Sequence, residues 1–156
     1  EVTVSGTVGD RQLAQIKSVL EQNGFELMED RSRHVIEKIK HAVLELVQND
    51  YERTPIRVKD SEFISGKVGQ EYHSLSSLFS SVENVTIERF TILRRIERAK
   101  ELLKYGEFTL SEISYKLGYS SVAHLSNQFK QVTGMTPTKF KRMSGESRTS
   151  APHVHP

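Results

Sequence analysis

The sequence predicts a mainly α protein: two helix-turn-helix units joined by a long helix, preceded by a short α/β remnant and a connector helix. Three observations predict it. From residue 56 onward, apolar residues recur at helical spacing in six runs separated by turn signals. Two of those runs match at a fixed distance, because Leu75 and Leu125, like Phe79 and Phe129, stand 50 residues apart. Each matching run follows a glycine, Gly69 in the first copy and Gly118 in the second, giving the helix, glycine-containing turn, helix layout twice.

Taken in order, "EVTVSG" reads as a strand. A helix follows from Asp10, with Leu13, Ile16, Val19 and Leu20 on one face and Asn23-Gly24 as its stop. "FELMED" reads as a second short strand, so residues 1–31 look like a partial α/β unit, too short to bury a core alone. Asp30 or Ser32 caps an amphipathic connector helix over 32–49, whose stripe is Val35, Ile36, Ile39, Val43, Leu46 and Val47. That stripe packs on neighbouring helices or serves as a dimerisation surface, and the linker after it ends at Pro55. Residues 56–143 then carry helices near 59–67, 71–83, 86–105, 109–117, 121–132 and 137–143. Thr86 caps the long helix, with Arg89 where a capping box would need glutamate, and Gly106 ends it. Thr109 or Ser111 caps the next, with Glu112 in its first turn. The polar, proline-containing tail 144–156 reads as disordered.

Composition narrows the function classes. No run approaches 18 apolar residues, so the sequence offers no membrane span. There is no cysteine, which excludes disulfides, thiolate metal sites and cysteine nucleophiles. The start lacks both Met and a basic, apolar leader, which reads as a fragment of a longer cytoplasmic protein. The net charge of +2 hides an asymmetry. Residues 1–88 carry 10 Lys and Arg against 15 Asp and Glu, while residues 89–142 carry 11 against 4. A basic third on an acidic remainder fits a polyanion-binding module.

On a helical wheel of residues 121–132, Val122, Leu125, Phe129 and Val132 share one side. His124, Asn127, Gln128 and Gln131 lie mainly opposite, and Ala123 keeps the first turn slim. Such a face suits base edges, since Asn and Gln pair with adenine and His donates to guanine. Lys130, Lys139, Lys141 and Arg142 flank it, in reach of phosphates. An ordinary solvated face is the competing reading; the repeated turn and the local charge decide against it. The first copy differs, because residues 71–83 hold Glu71 and Glu83 but no Lys or Arg, and its outward candidates are Tyr72, His73, Ser76 and Ser77.

Other chemistry is thin. His34 and His41 stand two helical turns apart near Glu37 and Glu45, but two ligands without a fixed third and fourth are no metal site, and none is expected. No phosphate-binding glycine loop, nucleophile elbow or metalloprotease motif is present, so neither an enzyme nor a cofactor is expected.

The segment "TLSEISYKLGYSSVAHLSNQFKQVTGMTPTKFKR" resembles the second helix-turn-helix of the AraC/XylS family of bacterial transcription regulators. The residues that carry the likeness are Leu117-Gly118-Tyr119, Ser120, Phe129-Lys130, Gly134, Thr136-Pro137 and Phe140, with "RRIERAKELL" similar to the family's joining helix. The likeness covers about 56–143, more weakly in the first unit, where Ile64, Gly69, Leu75 and Phe79 match. Upstream, the segment from Gln15 to Val47 resembles the stretch between a ferredoxin-like domain and the regulator module of some members, and implies no metal site here. The resemblance implies a sequence-specific, double-stranded-DNA-binding activator that recruits RNA polymerase, is associated with the nucleoid, and dimerises, if at all, through its N-terminal part. Base contacts would come from Val122, Ala123, His124, Ser126 and Asn127, with His73, Ser76 and Ser77 in the first unit. Phosphate contacts would come from Ser121, Lys130, Thr136, Thr138, Lys139, Lys141 and Arg142. Twenty residues of joining helix span roughly 30 Å, near the ~34 Å of one duplex turn, so two recognition helices would reach successive major grooves. The alternative is a protein-interaction or sensory module whose first unit binds a protein partner.

Overall fold

The computed structural model describes residues 6, 9–24, 28–48 and 58–149, with the side chains of 28–29 and 146–149 outside that description. Among the described residues there are eight helices and no strand. They are α1 (Asp10–Gln22), α2 (Met28–Gln48), α3 (Asp60–Val68), α4 (Tyr72–Glu83), α5 (Ile87–Tyr105), α6 (Leu110–Lys116), α7 (Val122–Thr133) and α8 (Pro137–Thr149).

The N-terminal part departs from expectation. Residues 1–5 of the first expected strand lie outside the described residues, as do 25–27 of the second. Met28 to Asp30, the rest of that second strand, form the first turn of α2. Asp30 and Ser32 therefore lie inside the helix and cap nothing. Asp30 instead meets Lys17 of α1 at 2.7 Å, and a carboxylate in a first turn also suits the helix dipole. Its hydrogen bond to Lys17 draws the Asp30 carboxyl below the ordinary aspartate range. At the other end α8 runs through Ser144 to Thr149, beyond the expected stop at 143. Ser and Gly weaken a helix without ending it, and the first proline after Pro137 is Pro152. Residues 150–156 of the expected tail lie outside the described residues.

Two separate cores follow. The first joins Ile36, Ile39, Ala42, Val43 and Val47 of α2 to Ile64 and Val68 of α3, Leu75 and Phe79 of α4, and Ile87 at the start of α5. The apolar stripe of the connector helix is thus half of this core. The second joins Ile96, Ala99, Leu102 and Leu103 of α5 to Ile113, Leu117, Tyr119, Leu125 and Phe129. No residue belongs to both, and α5 alone among the helices contributes buried apolar residues to each.

Local chemistry fixes the helix ends. Thr86 Oγ1 accepts from the Arg89 N–H at 3.1 Å, without the reciprocal half of a capping box. Thr109 forms a full box: its Oγ1 accepts from the Glu112 N–H at 3.2 Å, and Glu112 Oε2 accepts from the Thr109 N–H at 2.6 Å. Those bonds hold the Glu112 carboxyl below the usual range. Both recognition-type helices end in a left-handed residue, Asn84 (φ 55°) after α4 and Gly134 (φ 79°) after α7.

Candidate nucleic-acid interface

The repeat is deeper than two matched pairs. α4 and α7 each have twelve residues, and both ends are offset by 50. Residues 71–79 and 121–129 show the same succession of exposed, half-buried and buried positions. The offset continues past both helices, since Thr86 and Thr136 precede α5 and α8 and each accepts a backbone N–H, from Arg89 at 3.1 Å and Lys139 at 3.3 Å. Phe90 meets Phe79 at a tilt and Phe140 meets Phe129 edge-on, with 5.5 Å between ring centroids in both pairs. Each unit is therefore a turn, a recognition-type helix, and the first turns of the helix that follows. That extension was legible at Thr86/Thr136 and Phe90/Phe140 had the 50-residue offset been carried further.

The turns differ by one residue. Gly69 and Gly118 are 49 apart, so the second turn contains an extra position, filled by the buried Tyr119. Gly118 takes φ 75°, where a side chain would strain the backbone. Burial pushes the Tyr119 phenol up to about 12, with the Arg95 charge pulling it down and the Asp60 charge pushing it up by lesser amounts. Its hydroxyl is buried without a hydrogen-bond partner. The folded state thus favours the neutral phenol. This contribution is whole below the ordinary tyrosine value of about 10 and is lost as pH climbs towards 12. Tyr119→Phe is expected to hold or raise the melting temperature at pH 7 and to flatten its decline above pH ~10, read by thermal melts across pH.

In the second unit Leu125 and Phe129 are fully buried, while Val122, Ser126, Gln128 and Val132 are half-buried. Ala123, His124, Asn127, Lys130 and Gln131 are exposed. Ser121 Oγ caps α7 by accepting from the His124 N–H at 3.1 Å. The His124 ring stands edge-on to Tyr119 at 5.1 Å, with Nδ1 3.2 Å from Ser120 Oγ, so its orientation is fixed before any ligand arrives. Thr136, Thr138, Lys139, Lys141 and Arg142 are all exposed at the start of α8.

The first unit places His73 and Ser77 in the open and Ser76 half-buried. Tyr72 is not outward. Its ring packs on the first core and its hydroxyl donates to Glu88 Oε1 at 2.7 Å, because a large aromatic next to the core gains more from burial than from water. Burial and then Glu88 raise the Tyr72 phenol, while that same bond lowers the Glu88 carboxyl. Arg89 was missed by sequence reasoning as a site residue. It is exposed and occupies the position equivalent to Lys139, so a cation absent from α4 is supplied by the first turn of α5. His34 and His41 are exposed on α2, and no group of three or more His, Asp or Glu among the described residues converges as a metal site.

A protein-family model described as a helix-turn-helix domain matches residues 64–143. The chain is 28% identical over 134 residues to the uncharacterized HTH-type transcriptional regulator YdeC of Bacillus subtilis, covering 85% of this chain and 44% of that protein. It is 41% identical over 51 residues to the HTH-type transcriptional regulator GlxA of Rhizobium meliloti, covering 33% and 16%. The chain therefore spans less than half the length of these relatives. Among solved structures it resembles the DNA-binding domain of AdpA in complex with a target DNA, with TM-score 0.61, 16% identity, and 74% and 97% of the two chains covered. It also resembles an AraC-type regulator from Chromobacterium violaceum, with TM-score 0.60, 20% identity, and 75% and 97% covered. At those identities the likeness is one of fold. Among the described residues no helix is long and apolar enough to cross a membrane. The paired units, the matched family model and these relatives together mean that the chain belongs to the AraC-type helix-turn-helix family of DNA-binding transcription regulators.

Proposed function

We propose that this chain is the sequence-reading part of a transcription activator that sets α7 and α4 into successive major grooves on one face of a duplex. The observation that supports this most is the matched exposure of α4 and α7 at the two ends of α5. The nineteen residues of α5 span roughly 28 Å, short of one duplex turn by only a few ångströms. In this reading Val122, Ala123, His124, Ser126 and Asn127 read bases, and His73, Ser76 and Ser77 read the second half-site through neutral hydrogen bonds. Ser121, Lys130, Thr136, Thr138, Lys139, Lys141 and Arg142 hold phosphates, and Arg89 does so for the first unit. The protein works by binding rather than catalysis, in the cytoplasm at the nucleoid. There it recruits RNA polymerase to an upstream site, with any dimerisation through its N-terminal part.

Selection of bound sites from random DNA, followed by titration at two salt concentrations, tests this. A recovered asymmetric site with two half-sites and a steep salt slope is the expected result, and binding without retained sequence preference would sink the reading. Arg89→Ala is expected to weaken all sequences alike and to lower the salt slope by about one unit. The absence of Lys and Arg from α4 favours one second reading, a first unit that docks on a protein. A footprint confined to one half-site would decide for it.

A further inference from the structure

The two recognition helices can read a fixed spacing only if their units are held rigidly to each other, yet their apolar cores share no residue. Among the described residues, two features lie at the junction besides α5 itself. One is between the end of α2 and the second unit, where Val47, Gln48, Arg98, Leu102, Phe108 and Lys116 line a cavity of about 100 Å³. A half-open gap of that size admits water, so its walls are not packed directly on each other there.

The other is polar. Arg95 lies on α5 one residue before Ile96, where the helix passes from the first core to the second. Its Nη2 reaches back to Asp60 Oδ1 at 2.9 Å, in the first turn of α3. The Arg95 side chain is 14% exposed and that of Asp60 42%, so the guanidinium is sheltered and aimed at a carboxylate that stays half in water. Tyr119, in the turn of the second unit, is buried in the same apolar cluster as Ile96, the next residue on α5. The point at which α3 holds α5 is thus the point at which the spacer enters the second unit's core.

We propose that the Asp60–Arg95 pair, made where α5 enters the core that holds Tyr119, is a strut that fixes the relative placement of α4 and α7, and so sets the half-site spacing the protein accepts. These are positioning residues and touch no DNA. The inference rests on the DNA-reading function above only for its second half. Guanidinium-carboxylate pairing is directional, and a spacer helix pinned at mid-length cannot swing about its ends.

The chain has no cysteine, so spin labels can be placed cleanly through Ser81→Cys and Gln131→Cys, equivalent exposed positions on α4 and α7. Pulsed dipolar spectroscopy on the free, full chain is expected to give one narrow distance. Asp60→Asn keeps the side-chain shape at a half-exposed position, and is expected to remain folded by circular dichroism while the distance distribution broadens. Arg95→Lys keeps the charge without the fork and should fall between. On the selected site with one base pair inserted between half-sites, the wild type is expected to lose about tenfold or more in affinity, and Asp60→Asn much less. Distributions as narrow as wild type in both variants overturn the strut, whatever happens on DNA. A narrow wild type that broadens in Asp60→Asn, with no sequence preference in either, upholds the strut and overturns the reading function instead.

Discussion

Phe129→Ala is expected to destabilise the second unit by about 3–5 kcal/mol and to reduce DNA binding to the non-specific level. Phe129 is fully buried and meets Phe140 edge-on at 5.5 Å, so its ring seats α7 against the start of α8. Removing it leaves a cavity that α6 and α7 cannot close, because Leu125 and Ile113 are already in place against the same core. The first core contains none of these residues and should survive. Amide exchange is therefore expected to accelerate through α6, α7 and α8 while α2 to α4 keep their protection. Uniform loss of protection would mean that the two cores melt as one. Phe79→Ala should produce the mirror result, with α3 and α4 opened and the second unit intact.

The second large effect separates two neighbours on α7. Asn127→Ala is expected to remove about 1–3 kcal/mol of discrimination at one base pair while leaving non-specific affinity almost unchanged. Asn127 is exposed at the position matching Ser77, on the side of the helix away from Leu125 and Phe129. Lys130→Ala, one turn further, should weaken every sequence by a similar factor and reduce the salt slope by about one. Binding to the selected site and to scrambled DNA at two salt concentrations checks both. Equal losses from both variants on every sequence would refute the division between base and phosphate contacts.

Much of this molecule was readable in its residues because its signals are local. Thr86, Thr109, Gly106 and Gly134 mark helix ends through bonds made within a turn, and those ends lie within a residue or two of expectation. The 3.6-residue stripe of α7 predicted which side is buried, since a helix face is a property of the helix itself. What was not readable depends on partners distant in sequence. Asp30 looked like a cap, and nothing in its neighbourhood announces Lys17 on another helix. Tyr72 looked outward until Glu88, sixteen residues on, took its hydroxyl. Arg89 looked like a flaw in a capping motif and is the counterpart of Lys139, visible only once the repeat is carried through α5. The short strand expected over "FELMED" failed at Met28 to Asp30 because so short a run of apolar and acidic residues fits either period, and the helix forming downstream takes in those three.

The separateness of the two cores bears on how such a protein can change over generations. A substitution that repacks α2 against α3 and α4 leaves the second core's buried residues in place except near Val47, which lines the gap against Leu102. Each half of the molecule can therefore accumulate changes at its own pace, as α4 and α7 already have, with serines standing where the other carries His124, Asn127 and Lys130. New binding preferences can be acquired one half at a time, with the buried residues of the other half unchanged.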